Sequence, residues 1–346
     1  MTGPVAWMRN RFGERGAAVV LLVTLLALAV VPLVALPAAR CKVFGGGCRE
    51  PGPEPGARTD PVAARKALTP VEAATWGSYA ALGDSYSSGV GSETTASDRN
   101  PLDRCHRTSK AYYHQVSKAF GFAKGSGFWA CSGATTADVL KGKAGEPPQI
   151  GRIGPGTSLV TLSIGGNDVG FSKVLAGCVV KLPWGKSCTR QGADIADRMA
   201  ELRTSLPGLL DKITAKAPRA RVIVMGYPKA FSEVSGVDGD NITVSDQRWL
   251  NQRAHDLGRL IQQSAADADA QIAARNGRGS VEFVDAYSAF AGHEVGSQDP
   301  YMNGLALNLS ALKAEPRSYH PTAAGHRALA GLFTEQIKKG PGRPLY

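Results

Sequence analysis

From Trp76 to Gly340 the chain alternates short apolar runs with amphipathic stretches of helical period. Five runs predict strands: Tyr79–Leu82, Gly127–Ala130, Leu159–Ile164, Arg221–Met225 and Val281–Val284. Three of them, read as LVTLSI, RVIVM and VEFV, are almost unbroken in apolar residues. That pattern belongs to parallel strands covered on both faces, because a one-sided strand would alternate. Helical spacing fills the gaps, over Ser109–Phe120 and Ala193–Lys216. A third helix runs from Ser245 with Trp249, Leu257, Leu260 and Ile261 on one stripe, until Asn276-Gly277 supplies a C-cap signal. The last covers Thr322–Lys338, with Leu329, Leu332, Phe333 and Ile337 as its apolar face. Strand and helix in alternation predict an α/β fold, a three-layer α/β/α sandwich around a parallel sheet of about five strands, flavodoxin-like in type. Such sheets bind ligands beyond the carboxyl ends of their strands. Ser85, Cys131–Gly133 and Asn167 each follow a predicted strand, which groups them before any motif is considered.

The N-terminal part is patterned differently. Residues 1–16 carry Arg9, Arg11 and Arg15, and residues 17–39 form an uncharged run of 23 residues. As a helix that run would be about 35 Å long, enough to cross a hydrocarbon core of about 30 Å. A secretory leader has a shorter apolar core and a small-x-small cleavage site. Here ALPAA precedes Arg40 and puts Leu36 or Pro37 where a small residue is wanted. The reading favours an uncleaved transmembrane signal-anchor over a cleaved signal peptide. Either one exports the remainder, since the preceding charges hold the N-terminus in the cytoplasm. Residues 40–75 are rich in proline and charge without periodicity and predict a linker. The folded domain is expected over 76–340, with a short tail at 341–346.

An exported domain suits the six cysteines, because disulfides persist in oxidising surroundings. Spacing suggests three local pairs: Cys41 with Cys48, Cys105 with Cys131, and Cys178 with Cys188. Neither C-x-x-C nor H-E-x-x-H occurs, so no metal site is expected. The net charge of +11 is scattered and no nucleic-acid module accompanies it, which argues against nucleic acid and for a solvated basic surface or attraction to anionic envelope polymers and headgroups.

Acyl transfer needs a nucleophile, a base, and donors aimed at the developing oxyanion. Ser85, in YAALGDSYSSG, leaves a strand through Gly83, with Asp84 able to hold the turn by accepting backbone N–H bonds. His320, in HPTAAGH, stands just before a helix and titrates in the range that suits proton shuttling. The backbone N–H groups of Ser85 and Gly133 and the side-chain amide of Asn167 are the expected oxyanion donors, with Asp168 holding the Asn167 loop. No G-x-S-x-G occurs, which excludes the common α/β-hydrolase elbow. No cofactor is required.

In order and content the blocks GDS at Ser85, CSGATT at Cys131, LSIGGNDVGF at Leu162 and HPTAAGH at His320 resemble the SGNH (GDSL-like) hydrolases, and most of all their secreted lipase and esterase branch from actinomycetes. The resemblance implies a carboxylic ester hydrolase, of lipase, esterase or phospholipase-like type, and supports the pairs Cys105–Cys131 and Cys178–Cys188. Many relatives carry an aspartate three residues before the histidine. Arg317 stands there in this chain, so the resemblance implies a Ser–His dyad whose imidazole is oriented by a backbone carbonyl, that of Ser318, with Asp285 weighed as a substitute. Phe171, Val174, Leu175 and the loop with Leu182, Pro183 and Trp184 are expected to wall an acyl cleft. The expected partners are an ester substrate (an acylglycerol, a phospholipid or a short-chain ester) and the membrane through the N-terminal helix, with a monomer as the oligomeric state. Two further readings remain at this point, a carbohydrate O-deacetylase acting on wall polysaccharide and a non-catalytic envelope-anchored binding protein.

Overall fold

A computed structural model describes residues 18–20, 22–28, 66–179, 188–234, 242–308 and 313–346. The chain divides into two units, 1–65 and 66–346. Of the first, residues 18–20 and 22–28 are described, as exposed helix. Among the described residues no helix is long and apolar enough to cross a membrane. The remainder of the apolar run at 17–39 and the expected pair Cys41–Cys48 lie outside the described residues.

In the second unit the five apolar runs form one parallel sheet of β1 (Ser78–Gly83), β2 (Ser126–Phe128), β3 (Thr157–Ser163), β4 (Arg221–Met225) and β5 (Ser280–Val284), in the order β2-β1-β3-β4-β5. All residues of β3 and β4 are buried, as continuous apolar runs require. Among the described residues seven helices of at least six residues accompany the sheet: α1 (Pro70–Thr75), α2 (Tyr112–Ala119), α3 (Thr136–Lys141), α4 (Phe171–Val179), α5 (Gly192–Lys216), α6 (Val244–Ala274) and α7 (Ala323–Lys339). Helix α7 packs against α1 and α2, and α5 packs against α6 and α3, giving a layer on each face. The strand order reverses direction between β1 and β3, which opens a crevice at their carboxyl ends.

The folded unit begins earlier than the linker reading placed it. Thr69 caps α1 by accepting from the Glu72 amide, while the Glu72 carboxylate accepts from the Thr69 amide, and Pro70 occupies the first turn. This capping box is a helix start written in residues taken for linker, T-P-V-E. The terminal segment also belongs to the fold: Leu345 is buried, and its carbonyl accepts from the Leu68 amide at 2.8 Å.

One buried ion pair fixes the end of the molecule opposite the crevice. Arg221, fully buried at the start of β4, meets the Glu282 carboxylate through two nitrogens at 2.8 and 2.6 Å. Its remaining donors reach the carbonyls of Pro70, Gln336 and Ile337. The guanidinium therefore ties the first turn of α1 and the last turn of α7 to the sheet, with each charge fully hydrogen-bonded.

Candidate active site

The crevice at the β1–β3 switch holds all four sequence blocks. Strand β1 ends at Gly83, whose φ of +124° and close approach to the Ser163 carbonyl leave no space for a Cβ. The chain then turns into a single helical turn, Ser85–Ser88, capped by Asp84. One Asp84 oxygen accepts from the Tyr86 amide at 3.0 Å and the Ser163 hydroxyl at 2.7 Å. The other accepts a hydrogen bond from the Tyr227 hydroxyl. Burial pushes the Asp84 carboxyl up to about 6, against the lowering effect of these donors. Ser87 and Ser88 are buried, and the Ser87 hydroxyl bonds Ser163 and Tyr112.

His320 Nε2 lies 2.8 Å from Ser85 Oγ, across 235 positions of sequence. Its Nδ1 lies 3.0 Å from the Ser318 carbonyl. A carbonyl only accepts, so Nδ1 carries the proton and Nε2 is free to accept the serine proton. The ring is partly open to the crevice, yet burial pushes its pKa down to about 4 despite the opposing bonds to Ser318 and Pro316 backbone. The imidazole is thus neutral near pH 7. Tyr86 packs its ring on the imidazole at a centroid distance of 5.1 Å and donates its hydroxyl to the Tyr319 carbonyl at 2.9 Å. Asn303 donates to the His320 carbonyl through both its backbone and its side-chain amide. Arg317 points away and pairs with Glu315 at 2.7 Å. Asp285, weighed as a substitute orienting group, is instead exposed and caps a helical turn through Ser288, so it does not serve the imidazole.

Gly133 and Asn167 line the same crevice as Ser85 and His320. Gly133 adopts φ +74°, a left-handed conformation that glycine takes without strain. The Cys105–Cys131 disulfide is formed two residues earlier. The Asn167 amide nitrogen donates to the Ala134 carbonyl at 3.0 Å, and an amide NH2 has a second hydrogen to give. Asp168 accepts from the Thr136 amide and hydroxyl, joining the Asn167 turn to the start of α3; burial raises its pKa. On the other side of that turn, the Gly166 amide donates to the Tyr227 hydroxyl at 2.8 Å. Tyr227 therefore links the Asp84–Ser85 turn to the Gly166–Asn167 turn, a role the sequence reading did not find because nothing local to YPK marks it.

The crevice deepens into a cavity of about 530 Å³, walled by Phe171, Leu175, Val179, Phe231 and the α6 residues Leu250, Ala254 and Leu257. Val174, expected in this wall, is buried in the core and does not line the cavity. The α6 contribution was not anticipated, because a stripe at helical spacing reads as core. Cys178 and Cys188 are bridged, while Leu182, Pro183 and Trp184 lie outside the described residues. A group of Asp103, Cys105 and Glu146 has metal-ligand proximity, but Cys105 is in a disulfide and Arg107 bridges the two carboxylates, so it does not fit a metal.

Residues 81–328 match the GDSL-like lipase/acylhydrolase family. Lipase 1 of Streptomyces coelicolor is 36% identical over 252 residues, covering 71% of this chain and 81% of that protein. The crystal structure of an extracellular lipase from Streptomyces rimosus superposes with a TM-score of 0.61 at 30% identity, covering 75% of this chain and 99% of the other. That of phospholipase A1 from Streptomyces albidoflavus gives 0.60 at 32%, with the same coverage.

Proposed function

The chain belongs to the GDSL-like lipase/acylhydrolase family and is a carboxylic ester hydrolase, and on that premise we propose that Ser85 and His320 carry its chemistry. The observation that carries this reading is the 2.8 Å contact between Ser85 Oγ and a neutral His320 Nε2, beside Gly133 and Asn167. Ser85 Oγ attacks the ester carbonyl as Nε2 takes its proton, while Nδ1–H stays on the Ser318 carbonyl and stabilises the imidazolium that forms. The amides of Ser85 and Gly133 and the free hydrogen of the Asn167 side chain receive the oxyanion. Collapse expels the alcohol with the proton held by His320, and water, activated by the same nitrogen, then releases the acid from the acyl-enzyme.

The cavity of about 530 Å³ and its apolar wall support an acyl chain longer than acetyl, hence an acylglycerol or phospholipid rather than the acetyl group of a wall polysaccharide. Two disulfides among the described residues support action outside the cytoplasm, as does the extracellular origin of the Streptomyces rimosus lipase. Retention in the membrane rests on the apolar run at 17–39 alone, and fractionation of cells expressing the full chain tests it. For the chemistry, a fluorophosphonate probe is expected to label Ser85, and Ser85→Ala and His320→Ala are each expected to abolish turnover of nitrophenyl acyl esters with the circular dichroism spectrum unchanged. Full turnover in either variant refutes the dyad.

A further inference from the structure

We infer that Lys143 reads the alcohol side of the substrate, recognising a phosphate carried close to the scissile ester, as in a glycerophospholipid. The inference rests on the reading that Ser85 and His320 act on an acyl ester with Gly133 beside the oxyanion. A Cβ built on Gly133 would lie 3.3 Å from Lys143 Cε and 3.8 Å from its Nζ, so the ammonium stands directly over that glycine. Lys143 is not part of the apolar cavity wall, whereas Gly133 is. An ester sends its acyl and alkoxy parts in opposite directions from the carbonyl carbon. With the acyl chain in the cavity, on this inference the alkoxy oxygen must stay within reach of His320 for its proton while its further substituents leave over the rim at Gly133, where Lys143 stands.

The loop that presents this lysine is firmly built. Gly142, Ala144 and Gly145 all take positive φ, and the Glu146 amide donates to the Lys143 carbonyl at 2.8 Å. Arg107 holds the Glu146 carboxylate at 2.6 Å and Asp103 at 2.9 Å, two residues from the Cys105–Cys131 bridge. Arg107 is thereby satisfied. Lys143 is not: among the described residues its anionic contact is Asp138 Oδ2 at 3.5 Å, on an oxygen that already accepts from the Thr135 amide and hydroxyl. An ammonium has three donors, and this one, 33% exposed, has the others to offer to an acceptor that arrives beside Gly133. A phosphate oxygen is the strong acceptor that such a group favours.

The test compares dihexanoyl phosphatidylglycerol with dihexanoylglycerol, both kept monomeric so that no lipid surface contributes, using the full chain and its Lys143→Gln and Lys143→Arg variants. The quantity read is the ratio of kcat/KM for the phospholipid to that for the neutral ester. Lys143→Gln is expected to lower this ratio about tenfold, the lower end for a charge-assisted contact that water partly screens. Lys143→Arg is expected to keep it within about threefold, and added salt to lower it only when a cation is present. An unchanged ratio in Lys143→Gln, including equal loss on both esters, overturns the assignment, as does wild-type activity confined to the neutral ester. Failure of the wild type on both esters, with no probe adduct on Ser85, removes the dyad reading and the assignment with it.

Discussion

Tyr227→Phe removes one oxygen and touches two turns at once. In the native protein that hydroxyl donates to buried Asp84 and accepts from the Gly166 amide. Losing a hydrogen bond to a charged group costs about 1.5–3 kcal/mol, and orphaning a buried N–H adds about 1–3 kcal/mol before relaxation. The cost depends on pH in a defined direction. The Asp84 carboxyl titrates at about 6 in the folded protein, above its ordinary value, because burial outweighs its three donors. A raised folded pKa means that the folded state holds the extra proton, so this group's stabilisation is present at low pH and is lost as pH rises through the folded pKa. Removing a donor to the carboxylate raises that pKa further and extends the loss upward. Urea unfolding is therefore expected to give a destabilisation of about 1–2 kcal/mol at pH 5, where both proteins hold Asp84 protonated, and about 3–4 kcal/mol at pH 8. Activity on a nitrophenyl ester should lose kcat more than KM, since the serine and the Asn167 amide share this anchor. A destabilisation below about 1 kcal/mol that does not vary with pH would refute the argument.

Asn167→Ala is expected to lower kcat by about 10²–10³ with little change in KM, the signature of a donor used in the transition state, and steady-state kinetics would register its absence as equal changes in both. The acid limb of kcat/KM should lie near pH 4, where His320 gains a proton as pH falls, so that activity at pH 5.5 stays close to its neutral value. A limb near 6 would instead assign the loss to Asp84. Arg317→Ala should leave kcat within about twofold, because the exposed guanidinium only pairs with Glu315 and the imidazole is oriented by backbone. Glu282→Gln should cost about 3–5 kcal/mol in thermal or urea unfolding by leaving the buried Arg221 guanidinium without its anion, and a loss under about 1 kcal/mol would show that the pair contributes little.

Much of this molecule could be read along the chain. Continuous apolar runs in β3 and β4 gave the sheet because a strand covered on both faces has no polar side to show. The serine and histidine lay in strings whose spacing survives in one dimension, and so did Gly133 and Asn167. The start of α1 was written in T-P-V-E as well, but the surrounding prolines masked a capping box that is purely local. Other features were beyond reach. Nothing near Tyr227 signals that its hydroxyl meets Asp84, 143 residues away, because a buried tyrosine at a strand end looks like packing until its partner is known. The α6 side of the cavity, Leu250, Ala254 and Leu257, has the same helical spacing whether it faces a core or a crevice. Lys143 is one lysine among many until the fold sets it over Gly133. The sequence by itself determined which groups can do chemistry and which segments must be buried, since residue type and period set both. Tertiary structure alone decided which distant groups share a site, because hydrogen-bond geometry and pKa depend on neighbours that the chain brings together only on folding.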